Sequence, residues 1–479
     1  MESSATPDTL QPVILDAIEG AVWEAIGSVT HRDLFVAFSG GLDSRVLLET
    51  CARLRARKSF RLHALHVDHG WFKDSAQWER RCREMAQSLN VPFLSTRLEA
   101  PSASGARTEA VARAARYAWF SRTVPPDAVL LTAHHADDQA ETVMLRLLRG
   151  ASVNGLGAMR QTQQMDGITV LRPLLSVPRA SIRAYATVQE LGWIDDPSNE
   201  DTRYDRNFLR HQVMPLLESR WPQLQSGLVA TAGGFQSAQE VLDELAEQDL
   251  QDAALRTHPC RLGVLGALNQ DTVLSLSDGR RKNLLRYWIR TRCHTRPSEK
   301  SLQEFINQIG SARGDGMLSL KGEGGFFSLR TYRRGLFIIP ESASAKQNRI
   351  DTRAWDGETV RLDEVDIRLR CERGRGVGLR LDLLDRAPLE LRWTHGQARV
   401  APSEAGPHRR RVRVLLQEQG VPPWERARIP MIFSQGEFIC MPGVITAQAY
   451  VAGPSVSGAR IVLEDLRVRQ SAAGSGVSS

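Results

Sequence analysis

Apolar residues follow two rhythms in the first half of the chain, and their alternation predicts the architecture. Leu10, Val13, Ile14, Ala17, Ile18, Ala21, Val22, Ala25 and Ile26 recur at three- and four-residue intervals. That spacing predicts a packing helix ahead of the first strand. Residues 34–38 are nearly all apolar, as a strand buried on both faces should be. Val46, Leu47 and Leu48 then open a helical stripe that Ala52 and Leu54 continue. Residues 61–67 alternate into a second strand, 74–89 read as helix, and 91–97 as a third strand. A helix that Thr108 could cap follows, then a fourth strand at 129–133 and a helix to Arg149 broken by Gly150. Residues 171–175 read as a strand end stopped by Pro173, and 178–191 as helix. Strands alternating with helices in this way predict an α/β domain with a parallel sheet.

The second half is patterned differently. Residues 222–252 read as helical, with Leu224, Leu228, Leu242 and Leu245 on apolar positions. A small mixed module follows to about residue 340, helical around 284–292 and β-like around 326–339. Residues 341–348 form a polar linker. Beyond it, 349–469 carries alternating β-like runs such as 360–370, and 470–479 is a small, polar tail without packing residues. The expected division is therefore 1–220, 221–340 and 349–469.

The turn after the first strand carries the most specific chemistry. Ser39, Gly40, Gly41, Leu42, Asp43 and Ser44 join strand to helix. Two glycines let the main chain turn sharply and approach a ligand with no Cβ in the way. The N–H groups at the helix start, with the dipole behind them, attract an anion. The Ser39 and Ser44 hydroxyls can add hydrogen bonds to phosphate. Asp43 repels phosphate and fits instead as a ligand for Mg²⁺. The plainer alternative is a βα turn with Asp43 or Ser44 as N-cap. No Gly-Lys pair follows, so this is not a Walker A loop.

Ligands of open parallel sheets bind beyond the carboxyl ends of the strands. His66, Asp68 and His69 stand there after the second strand, either for nucleotide contact or to satisfy loop backbone. Glu109, Arg113, Arg116 and Tyr117 share a helix face; the choice is a surface ion pair or an arginine aimed at an anion. After the fourth strand come His134, His135, Asp137, Asp138 and Glu141. Three acids gathered at a helix start complement its dipole, yet repel one another unless a cation intervenes. Arg206 and Arg210 lie one helical turn apart further on.

Composition narrows the class. No apolar run reaches the roughly 18 residues needed to span a bilayer. The first residues carry Glu2, Asp8, Asp16 and Glu19 and no basic run, unlike a secretory signal. Six cysteines are scattered without a C-x-x-C pair, which argues against a disulfide framework, a zinc site or an iron–sulfur cluster and suits a reducing cytoplasm. The net charge of +7 is concentrated late: residues 371–428 hold twelve Arg, no Lys and seven acids. A phosphate-rich macromolecule is a natural partner for such a segment; a solvated Arg-rich surface is the alternative. Its heart is His408, Arg409, Arg410, Arg411 and Arg413, followed by Pro422-Pro423-Trp424. Trp424 reads as core more readily than as a base platform.

These stretches together carry a resemblance. SGGLDS, a strand ending HVDHG, E-x-x-x-R-x-x-R-Y, H-H-x-D-D-Q-x-E-T, R-G-x-x-x-x-G-L, R-P-L-L and D-x-S-N before R-N-F-L-R stand in order between Ser39 and Arg210. The chain resembles the tRNA(Ile)-lysidine synthetases of the PP-loop ATP-pyrophosphatase superfamily, and the basic segment before P-P-W-x-R-x-x-I-P is similar to their C-terminal module. The resemblance implies an adenine nucleotide alpha hydrolase-like catalytic domain, then a mainly helical or mixed domain and an α+β domain, both tRNA-binding. It implies ATP-dependent ligation of free L-lysine to C2 of the wobble cytidine of the CAU-anticodon isoleucine tRNA, releasing AMP and pyrophosphate, in a cytoplasmic monomer or homodimer. Ser39 to Ser44, His66 and His134 would bind ATP, and Asp43 and Asp138 would hold Mg²⁺. Glu141 and Asp137 would orient or deprotonate the lysine amine, and Arg113 and Arg206 would stabilise phosphate charge. Arg409, Arg410, Arg411 and Arg413 would contact RNA phosphates. Sulfur insertion, a related chemistry, needs a cysteine pair that this spacing lacks.

Overall fold

The computed structural model describes residues 7–29, 33–68, 75–98, 109–196, 200–255, 260, 262–293, 295, 297–311, 320–321, 327–340, 352–384, 388–393, 399–400 and 410–467. His69, Thr108, the linker 341–348, Arg409 and the tail lie outside these residues, and so does the side chain of Glu109. Internal contacts divide the chain into Met1–Val241 and Leu242–Ser479.

In the first unit the helical stripe before the first strand becomes α1 (Pro7–Gly27). Then follow β1 (Asp33–Ala37), α2 (Leu42–Leu54), β2 (Arg61–Asp68), α3 (Ser75–Ser88), β3 (Phe93–Arg97) and α4 (Glu109–Thr123). After them come β4 (Val129–Leu131), α5 (Ala136–Leu148), the short α6 (Val153–Leu156), the hairpin β5 (Thr162–Met165) and β6 (Ile168–Leu171), and α7 (Arg179–Val188). The sheet order is β3-β2-β1-β4-β6-β5. All neighbours are parallel except β5 against β6.

Period-two alternation in β1 explains how the sheet is covered. Leu34 and Val36 pack on one face with Ile18 and Val22 of α1, Val46 and Leu47 of α2, and Ile182 and Tyr185 of α7. Phe35 points to the other face, with Leu65, Leu130 and the α4 residues Tyr117 and Phe120. Both faces are covered at the centre of the sheet, so β1, β4 and β6 read as nearly unbroken apolar runs. The chain runs outward from β1 to β2 and β3, then returns to place β4 on the other side of β1. That makes β1/β4 the point where strand order reverses, and a crevice opens there beyond the strand ends.

After α7 comes α8 (Asp205–Phe208), a five-residue π-helical stretch Leu209–Val213, α9 (Met214–Arg220) and α10 (Leu224–Ala253). Arg206 therefore lies on α8, and the π-helical stretch begins one residue before Arg210.

The second unit is antiparallel. Gly266–Asn269, Gly335–Pro340, Phe327–Tyr332 and Leu320–Lys321 form one sheet against helices Asp278–Cys293 and Glu299–Ser311, around Leu284, Leu285, Trp288 and Phe305. A five-stranded and a four-stranded sheet follow, the latter centred on Ile367–Arg375 paired along its length with Ser457–Asp465. The β-like run 360–370 is two strands, Val360–Leu362 and Ile367–Arg375, joined by a 3-10 turn. The basic stretch is only partly helical: Arg410–Arg411 pair as a short strand with Arg399–Val400, and the helix is Val412–Glu418. No described helix is long and apolar enough to cross a membrane.

Candidate active site

Three helices of the first unit begin at or beside the β1/β4 crevice, and they differ in how their first N–H groups are satisfied. At α5, His135 is the N-cap: its ring accepts from Asp138 N (3.4 Å), and Asp138 Oδ2 accepts from His135 N (3.1 Å). This reciprocal capping box closes the helix start. At α7, Asp137 Oδ2 accepts from Arg179 N at 2.9 Å. At α2 the N-cap is Gly41, with no side-chain cap. The glycine–serine turn therefore presents the helix start still open to an anion.

That turn is held from behind. Trp78 Nε1 donates to Ser39 O (2.8 Å), with the Cys82 thiol also on Ser39 O (3.6 Å), and Ile194 N donates to Gly40 O (2.9 Å). Gly40 has φ +81°, and a Cβ there would lie 2.6 Å from Cys82 Sγ. Only glycine fits this combination of left-handed backbone and close approach. Inside the turn, Ser39 Oγ and Ser44 Oγ are 3.1 Å apart, and Ser44 Oγ donates to Gly41 O. Ser39, Gly40, Gly41, Leu42, Asp43 and Ser44 thus form one braced cradle.

Across the crevice the carboxylates meet the loop. His135 Nε2 lies 3.7 Å from Asp43 Oδ2 and 3.4 Å from Asp138 Oδ2, so one imidazole touches both acids. Burial opposes its charge, but Asp137, Asp138 and Asp43 together raise its pKa above the ordinary value. Burial raises the pKa of Asp43, and its Oδ1 is buried with no hydrogen-bond partner. Asp138 is also buried, yet His135, Arg206 and Arg210 hold its pKa below the usual range.

Behind Asp138 stands a pair of arginine forks. Arg206 Nε donates to Glu141 Oε2 (2.7 Å) and its Nη2 to Asp138 Oδ1 (2.9 Å). Arg210 Nε donates to Glu141 Oε1 (2.6 Å), and its Nη2 reaches Asp138 Oδ1 (3.1 Å) and Glu141 Oε2 (3.0 Å). Both Glu141 oxygens are occupied, and its side chain is 3% exposed. Asp137 is similarly committed. Burial opposes its ionisation, but His135, the Arg179 N–H and Gln225 bring its pKa down to about 2. Neither carboxylate is placed as a free proton acceptor.

Other expected site residues fall outside this constellation. His66 Nδ1 is 2.9 Å from Phe38 O, and its ring stacks near Phe93. It satisfies backbone between strand ends, the second of the two readings. His134 bonds Thr132 Oγ1 (2.9 Å), and burial pushes its pKa down to about 3, so it is neutral. Arg113 lies over the Tyr117 ring, 5.1 Å from its centroid, and lowers the pKa of His134 and of the buried Arg172.

The sequence places His135 in the candidate cluster and Arg210 beside Arg206 without giving either a role, and it does not single out Arg179 at all. Arg179 Nε stands 3.7 Å from Asp43 Oδ1, itself without a hydrogen-bond partner. The clue for Arg210 was its four-residue spacing from Arg206; nothing local marks Arg179, which reaches the site only through the sheet topology.

The donor set fits a magnesium ion carried by a nucleotide. Mg²⁺ takes one or two carboxylates plus phosphate oxygens and waters, and the unpartnered Asp43 oxygen beside Asp138 is such a pair. Among the described residues no cluster of three or more His, Cys, Asp or Glu is arranged as a self-sufficient metal cage.

A braced glycine–serine loop opening a helix at the reversal point of a parallel sheet defines a PP-loop ATP-binding enzyme. The PP-loop domain family matches residues 15–217, the TilS substrate binding domain 268–337 and the TilS substrate C-terminal domain 389–463. The chain is 36% identical over 426 residues to a tRNA(Ile)-lysidine synthase of Serratia proteamaculans (strain 568), covering 88% of this chain and 92% of that one. The corresponding protein of Methylococcus capsulatus is 35% identical, with 85% and 90% covered. The chain belongs to the tRNA(Ile)-lysidine synthase family, and it is an ATP-dependent enzyme with a tRNA substrate. The U34-tRNA thiolase NcsA of Methanococcus maripaludis, solved with its 4Fe–4S cluster, aligns over 48% of this chain and 79% of its own at 15% identity, with a TM-score of 0.41.

Proposed function

We propose that this chain joins free L-lysine to C2 of the wobble cytidine in the CAU anticodon of an isoleucine tRNA. A ring carbonyl oxygen is a poor leaving group and must first become a phosphate ester. The cytosine O2 attacks the α-phosphorus of ATP, the bond to the β-phosphate oxygen breaks, and pyrophosphate leaves. The lysine ε-amine then attacks C2, the C2–O bond breaks, AMP carries the oxygen away, and the amine gives up a proton.

The chain's own groups divide this work. The open start of α2 with Ser39 and Ser44 holds the departing pyrophosphate, and charge stabilisation there is worth on the order of 10²–10³ in rate per donor. Asp43 and Asp138 would hold Mg²⁺, which screens phosphate charge when bound. Arg206 and Arg210 fix Asp138 and Glu141 in place. Glu141 acts by orientation because both its oxygens are already engaged, and Asp137 because its Oδ2 is held by the Arg179 N–H. Arg113 lies beside His134 and is available to phosphate or substrate carboxylate. Thiolation is disfavoured: burial pushes the thiol of Cys82, which touches the loop, up to about 12, so it does not form a thiolate.

One observation carries the reading: Asp43 and Asp138 come from opposite sides of the strand-order reversal and touch the same His135 nitrogen. The test is mass analysis of an anticodon stem-loop RNA after incubation with ATP and isotope-labelled lysine. The expected product gains one lysine less one water at a single cytidine, with AMP and pyrophosphate in equal amounts. Pyrophosphate release that ignores lysine, or an RNA without label, would sink the proposal.

A further inference from the structure

In the second unit, Phe327–Tyr332 and Gly335–Pro340 are joined by a two-residue turn, since Tyr332 pairs with Gly335. The turn residues are Arg333 (φ 46°) and Arg334 (φ 58°). A hairpin turn with both residues left-handed is normally built from Asn and Gly, so two arginines are a strained choice.

Their side chains account for it in different ways. Arg334 stays within its own module: Nη1 pairs with Asp271 Oδ2 (2.7 Å), and its carbonyl accepts from Gln270 N (2.8 Å). Arg333 reaches the following module, where Nη2 donates to Gln417 O (2.8 Å), in the last turn of Val412–Glu418. A guanidinium on a final helix carbonyl also meets the negative end of the dipole. Gly420 (φ +69°) makes the space: a Cβ there would lie 2.5 Å from Arg333 Nη1. Beside this contact the Trp424 ring packs edge-on against Tyr332 (5.9 Å) and at a tilt against Phe337 (5.7 Å). Buried Glu425 accepts from Leu262 N at 3.2 Å.

We propose that Arg333, Gly420 and Trp424 form a clamp that makes the two modules one RNA-docking body. Arg333 holds the far end of the helix that begins at Val412, and so fixes where exposed Arg411 and Arg413 meet the phosphates of the tRNA. It is a positioning residue and touches no RNA itself. The long cation at this strained turn is what reaches Gln417. This inference rests on the RNA contact of Arg410, Arg411 and Arg413 that the family resemblance implies.

The experiment compares steady-state constants for full-length tRNA and for the anticodon stem-loop, using the whole chain. Arg333→Asn suits the turn better and so leaves folding intact, but it releases the clamp. The expected result is a KM for full-length tRNA raised about tenfold, the size of one lost charge-assisted hydrogen bond, with kcat and the stem-loop KM unmoved. Gly420→Ala keeps the charge but displaces it from Gln417, and should reproduce the effect. If Gly420→Ala retains full affinity while Arg333→Asn loses it, Arg333 contacts RNA directly and the clamp is wrong. If neither moves KM while Arg411→Gln with Arg413→Gln does, the clamp fails and the RNA reading stands. If the double variant is also silent, both fall.

Discussion

Each half of this protein holds a buried carboxylate gripped by two arginines, and the two grips are built for different ends. In the second unit Arg428 donates to both Asp465 oxygens (2.7 and 3.1 Å), while Arg467 adds 2.8 and 3.1 Å contacts. The spare donors of Arg428 go to Val365 O and Asp366 O. Both Asp465 oxygens are engaged twice over, and the cluster ties the ends of two strands together. In the first unit Arg206 and Arg210 are shared between Asp138 and Glu141, but the neighbouring Asp43 oxygen and Arg179 Nε are buried without hydrogen-bond partners. The ion-pair chemistry is the same in both. What separates a structural lock from a reaction site is the unsatisfied polar atoms beside it, which cost stability until a ligand engages them.

The sharpest way to break this contrast is Asp43→Asn. It removes the charge that the proposed magnesium nucleotide needs, and activity should fall by on the order of 10²–10³ or more. Stability should hold or rise. Burial raises the pKa of Asp43, so the folded state prefers it protonated, and its ionised form at neutral pH works against folding. Turnover and urea midpoint measured together decide the matter. A variant that loses stability and keeps activity would make Asp43 an ordinary structural acid.

Asp465→Asn should do the reverse. It leaves two guanidinium groups, each under 13% exposed, facing a neutral partner. The expected cost is about 3 kcal/mol, the low end for breaking a buried pair, with kcat on the stem-loop RNA unchanged. The pH profile follows from the same contacts. Burial alone would raise the pKa of Asp465, but Arg467 and Arg428 bring it below the ordinary value of 3.8. Its contribution is therefore complete above that value and is lost as pH falls from there through the lower folded pKa. Denaturation midpoints taken from about pH 5 downward should fall less steeply in Asp465→Asn than in the parent. Parallel curves would show that the Asp465 cluster contributes nothing to acid sensitivity.

The contrast also explains what could be read from the sequence. The parallel sheet was legible because strands covered on both faces leave short apolar runs, and its loop was legible because paired glycines between strand and helix let the chain turn sharply, which the structure requires at Gly40. Asp138 and Glu141 announced themselves by spacing. Arg179 did not, because its nearness to Asp43 is created by strand order, which no local pattern encodes. His135 was outranked by His134 because two adjacent histidines are equivalent in a sequence, and only the capping box aims one at the acids. In the second unit the alternating runs gave β-structure but not its breaks: Asp366, at φ 52°, folds the run 360–370 back on itself. In the basic stretch, pairing with Arg399–Val400 makes a strand of Arg410 and Arg411, although arginine as an isolated residue favours helix. Trp424 was read correctly as a packing residue.

The smallest effect separates exposed arginines from buried ones. Arg413 is exposed on the helix Val412–Glu418, whereas Arg428 is only 12% exposed in the Asp465 lock. Arg413→Gln should leave the unfolding midpoint where it is and weaken tRNA binding modestly. Its signature lies in the salt dependence: a lost phosphate contact makes the slope of log affinity against log salt shallower by about 0.7–0.9. Arg428 has its donors spent on Asp465, Val365 and Asp366. Its replacement should therefore shift stability and leave the slope alone. If Arg413→Gln leaves the slope unchanged while tRNA still binds, the arginine-rich segment is a solvated surface, and the phosphates are met elsewhere.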